Sequence, residues 1–217
     1  MSTTRRTILG GALAAPFLAQ FAGTAAGEVA DATLGTVSGG WLEIRWTPQA
    51  KSQMDLLSVS VEPIAPATWV TDDAGRRMGI RFPGRSGTGD PSVNHWQAAH
   101  GDGHADGGVV VRSLTNRFEI TDLRPTLDDG VVSAAYKING VENSSQSLMH
   151  GDMSQGRFLA DPVPPGQPQT IRVEDVPVYA TPESLDAAMT ALGSLLIGPD
   201  TVLGHARGEV LYTPPRR

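Results

Sequence analysis

The sequence predicts a mainly β protein, an antiparallel two-sheet β-sandwich with one short α-helix, on three observations. Apolar residues alternate with polar ones at a period of two through most of the chain. Turn-forming residues cut those runs at short intervals, and a single segment keeps a helical period.

The elements follow in chain order. Met-Ser-Thr-Thr-Arg5-Arg6-Thr7-Ile8-Leu9 precedes an apolar stretch from Gly10 to Ala22 and the small-residue run Gly23 to Gly27, the three-part layout of a secretory signal. The arginine pair resembles the twin-arginine motif, and Gly10, Gly11 and Pro16 keep the apolar stretch moderate, as that pathway prefers. A Sec signal that happens to carry two arginines is the alternative. The expected cut follows Ala26, leaving residues 27–217 as one exported domain. The apolar run falls short of the roughly 20 residues of a membrane span, and no second run follows, so no membrane anchor is expected.

Leu42, Ile44 and Trp46 alternate with Glu43 and Arg45, and Leu57, Val59 and Val61 alternate with Ser58, Ser60 and Glu62. Both runs read as strands buried on one face. Further strands are expected near Arg76–Phe82, Gly108–Ser113, Phe118–Thr121, Val132–Ile138, Gln169–Glu174 and Gly204–Tyr212. Asp128-Asp129-Gly130 and Asn139-Gly140 supply the positive φ of tight turns and bracket the strand 132–138. Gly84–Pro91 has the glycines of a phosphate loop but neither its Lys-Ser/Thr ending nor a following helix, and reads as a mobile hairpin loop. Pro162, Pro164 and Pro165 mark a connection. The helix runs from Pro182 to about Leu192: Thr181 caps it, Pro182 suits its first position, Gly193 closes it, and Leu185, Ala188, Met189 and Leu192 form its apolar stripe.

With no cysteine, an exported chain must rest on its apolar core. Removing Arg5 and Arg6 leaves 15 basic against 23 acidic residues, which makes nucleic acid and anionic membrane surfaces poor partners. Arginine for lysine almost throughout, with abundant Ala and Gly, fits a GC-rich bacterial genome.

The densest chemistry is His95-Trp-Gln-Ala-Ala-His100-Gly-Asp102-Gly-His104-Ala-Asp106. His95, His100 and His104 are candidate ligands for zinc or copper, since imidazole suits both and the glycines would let a loop fold back on itself. The competing reading is a solvated loop with incidental histidines. His-Gly-Asp recurs at His150–Asp152, where an Asp-stabilised turn at a strand end accounts for it. The sequence offers no Gly-x-Ser-x-Gly elbow, cysteine nucleophile or paired carboxylates, so no catalytic residue is assigned.

Gly107 to Ala134, the later Val178–Gly193 and Leu203–Ala206 together resemble secreted bacterial β-sandwich proteins related to the HtaA domain, over about residues 105–206. The resemblance implies an exported, non-catalytic protein that binds an unknown small ligand or envelope component. HtaA domains take up haem through a tyrosine. Here the corresponding segment, Gly40-Trp41-Leu-Glu-Ile-Arg-Trp46-Thr-Pro, has no tyrosine, so haem is not carried over. The alternative function is a metal-binding protein or metalloenzyme built on His95, His100 and His104.

Overall fold

The structure, a computed structural model, describes residues 34–91, 99–192 and 197–215. The expected export signal, His95 and Gly193 lie outside the described residues. In order come β1 (Gly35–Trp46), α1 (Pro48–Leu56), β2 (Ser60–Ile64), β3 (Thr68–Thr71), β4 (Arg77–Asp90), β5 (His100–Arg112), β6 (Arg117–Pro125), β7 (Val131–Ile138), β8 (Val141–Gly151), β9 (Arg157–Ala160), β10 (Gln169–Ala180), α2 (Pro182–Leu192) and β11 (Val202–Thr213).

The mainly β, antiparallel expectation holds, but the strands do not separate into two sheets. They pair in the order β2-β5-β6-β7-β8-β10-β11-β1-β4-β3, and β4 also pairs with β5. That last pairing closes eight strands, β5-β6-β7-β8-β10-β11-β1-β4, into a ring, leaving β2, β3 and β9 as appendages. Closure removes the free edges that a sandwich would have to protect.

The closing seam uses the segments that the sequence presents as loops. Gly84–Asp90 is the second half of β4, and the histidine segment from His100 onward is β5. Gly87 faces Gly103 and Gly89 faces Gly101. A Cβ added to Gly87 would lie 2.2 Å from the Asp102 carbonyl oxygen, and one on Gly89 would lie 2.5 Å from that of His100. The glycines therefore serve close backbone approach rather than mobility.

The core is formed by Ile44, Phe82, Phe118, Ile120, Leu123, Ala134, Tyr136 and their neighbours. The Phe118 and Tyr136 rings meet edge to face, with centroids 5.2 Å apart. The outer wall carries ion pairs: Arg172 with Asp161 and Glu209, Arg207 and Arg157 with Asp175, and Arg45 and Arg81 with Glu43. An apolar interior with a charged exterior is the reverse of a transmembrane barrel.

α2 has the expected bounds, and the Ser184 amide donates to Thr181 Oγ1 at 3.2 Å. Of the expected stripe, Leu185, Ala188 and Leu192 face the barrel interior, with Ser184 and Ala191 buried beside them, while Met189 is 46% exposed. A second helix, α1, lies where the sequence pattern shows no helical period. Thr47-Pro48 is the same capping pair as Thr181-Pro182, and Thr47 Oγ1 accepts from the Ala50 amide at 3.1 Å. The capping signal is present, but the inward face of α1 is short and broken by a polar residue, Ala50 and Met54 flanking Gln53. Leu57 consequently ends a helix, and only Val61 of the expected Leu57-Val59-Val61 run lies in a strand.

Candidate functional site

The register sorts the two ends of the barrel. β1 ends at Trp46 beside Gly204, and β10 ends at Ala180 beside α2, so both helices lie at one end. Val37 beside Tyr212, Thr88 beside Asp102, and Gln169 lie at the other.

A cavity of about 220 Å³ occupies the interior toward this second end. Leu42, Val132, Ile171, Val173, Val210 and Tyr212 supply its apolar wall. The space has a local cause on β11, where Ala206 and Gly208 line it with almost no side chain. A β10 bulge between Val173 and Val176, with Asp175 at φ 57°, bends the opposing strand.

Polar groups gather at the rim. Thr88 Oγ1 donates to Asp102 Oδ1 at 2.8 Å, Arg85 pairs with Asp106, and His104 Nε2 lies 2.7 Å from Asp122 Oδ1. Asp122 also pairs with Arg124 and holds φ 55° in a bulge of β6. Tyr212 is 6% exposed; burial first, and then the negative charge of Asp90, push its phenol above the ordinary range. It is therefore a neutral wall residue at physiological pH.

Of the candidate metal ligands, His100 opens β5 and is exposed, while His104 sits four residues on, partly buried against Asp122. Four residues of extended chain span about 13 Å, so the strand separates the two backbones rather than folding them together. Among the described residues, no three His, Asp or Glu side chains converge as a metal site. The other His-Gly-Asp matches its reading: Asp152 follows β8 and accepts from the Ser154 amide at 3.0 Å and from Gln155 Nε2 at 2.6 Å. His205 is an exposed residue of β11.

The cavity residues appeared in the sequence only as strand positions. A signal was available in Gly204-x-Ala206-x-Gly208, a period-two run of small residues of which Ala206 and Gly208 line the cavity. Sequence cannot show what stands opposite such a run, and that decides whether the space is filled.

Comparisons with protein-family models and with curated proteins find no match. Among solved structures, the chain is similar to the crystal structure of the C-terminal domain of HtaA from Corynebacterium glutamicum, at 12% identity and a TM-score of 0.49, over 82% of this chain and 99% of that one.

Proposed function

We propose that the chain is an exported, non-catalytic binding protein of the cell envelope that holds a small, largely apolar ligand inside its barrel. The observation that carries this reading is the apolar cavity enclosed by a closed ring of strands, with Arg85, Asp90, Asp102 and His104 among its few polar lining residues. Pockets of that polarity hold ligands by burial, and a few rim groups set orientation. Its lining brings the carboxylates Asp90 and Asp102 together with Arg85, a mixed set that suits a neutral or zwitterionic head better than a strongly anionic one.

The test is titration of the purified protein with 1-aminoanthracene, a neutral fluorescent probe. Saturable binding is expected, and Val210→Trp, which fills the cavity, should abolish it while the protein remains folded by circular dichroism. Unsaturable binding, or undiminished binding by the folded variant, would sink the reading.

A further inference from the structure

A second cavity of about 220 Å³ lies at the helix end of the barrel. Ile44 and Met149 line both cavities and stand between them. Its wall is formed by Trp46, Phe118 and Leu148 of the strands, Met54 of α1, and Leu185 and Leu192 of α2. Two side chains with hydrogen-bonding oxygens also line it. Ser184 is satisfied, its hydroxyl donating to the Thr181 carbonyl oxygen at 3.0 Å. Gln53 is not: its Oε1 is buried and has no hydrogen-bond partner among the described residues.

These facts constrain what fills the space. A buried amide oxygen without a donor keeps the cost of its lost hydration. A water held in a cavity needs two to four polar partners, and this wall offers one free acceptor. Conversely, an apolar cavity of about 150 Å³ is already large enough to take up benzene. One acceptor at the end of a hydrocarbon-lined space matches one donor at the end of a hydrocarbon.

We propose that this cavity is a binding site for a neutral aliphatic alcohol, whose hydroxyl donates to Gln53 Oε1 and whose chain lies between the two helices and the floor formed by Phe118 and Leu148. The site is separate from the one at the rim and does not depend on that one being occupied.

The experiment is titration of the full chain with 1-hexanol, 2-hexanone and n-hexane, followed by methyl NMR at Met54, Leu148 and Leu185. One neutral hydrogen bond corresponds to roughly three- to tenfold in affinity. 1-Hexanol should bind tighter than the other two by that factor, with the shifts confined to these methyls. Gln53→Leu, which conserves volume, should erase the advantage while hexane still binds. Ala188→Phe, which occupies the space, should remove all binding. Equal or tighter binding of 2-hexanone or n-hexane, an advantage that survives Gln53→Leu, shifts only at Val173 and Val210 of the other cavity, or no shifts at all would each overturn the proposal.

Discussion

His104 Nε2 lies 2.7 Å from Asp122 Oδ1, and Asp122 reaches it from a left-handed backbone at φ 55° inside a bulge of β6. The bulge turns the carboxylate across the β5–β6 ladder, and Asp tolerates that conformation better than other non-glycine side chains except Asn. Asp122→Asn should therefore retain the bend and change the thermal midpoint little, since partly exposed pairs contribute about 0–1 kcal/mol. Asp122→Val, which places a β-branched residue at positive φ, should cost about 1–3 kcal/mol in denaturant unfolding. Equal costs for the two variants would show that the backbone is not the constraint.

Glu43 is a buried carboxylate on the outer wall, 1% exposed, roofed by the Arg45 and Arg81 side chains, with Arg81 stacked 4.2 Å over the Trp41 ring. Burial opposes its ionisation, but the hydrogen bonds and charges of Arg45 and Arg81 outweigh that and hold the carboxyl below its ordinary value of 4.5. A lowered folded-state value means the contribution is complete above about pH 4.5 and is lost as pH falls through the folded value. Glu43→Gln should cost about 2 kcal/mol at pH 7, short of the full penalty for a buried pair because both arginines remain half in water. The difference between wild type and variant should shrink below pH 4. A difference independent of pH would refute the account.

The Ser147 carbonyl oxygen accepts from two hydroxyls, Tyr136 at 2.9 Å and Thr181 at 2.8 Å, and so ties the core to the cap of α2. Tyr136→Phe should cost no more than about 1 kcal/mol, because Thr181 still satisfies the oxygen. Thr181→Val should cost about 1–2 kcal/mol through loss of the cap. The double variant should cost more than the sum, since it strands a buried acceptor; simple additivity in a double-mutant cycle would contradict this. Burial, and then the charge of Glu183, push the Tyr136 phenol up to about 12, so spectrophotometric titration should show it ionising last, as the protein unfolds.

Export is expected to depend on Arg5 and Arg6, because the apolar stretch after them is broken by Gly10, Gly11 and Pro16. Changing both to lysine should leave the precursor in the cytoplasm by fractionation and immunoblot. Undiminished export would assign the protein to the Sec pathway instead.

By itself, the sequence determined the local structure. Alternation located β1, β6 and β7, Asn139-Gly140 and Asp128-Asp129-Gly130 set the ends of β7, and Thr181-Pro182 began α2 at its observed residue. Each of these rests on interactions spanning a few residues, which a linear reading contains. Only the tertiary structure decided that β4 pairs with β5, closing a ring where two sheets were expected, because that pairing joins glycines whose partners lie more than ten residues away. The candidate site was decided in the same way. A cavity is what remains when side chains from strands distant in sequence fail to meet, as Ala206 and Gly208 fail to fill the space before Leu42 and Val132. The buried Gln53 oxygen is a second instance: its lack of a partner depends on the apolar side chains that β6, β8 and α2 bring against α1.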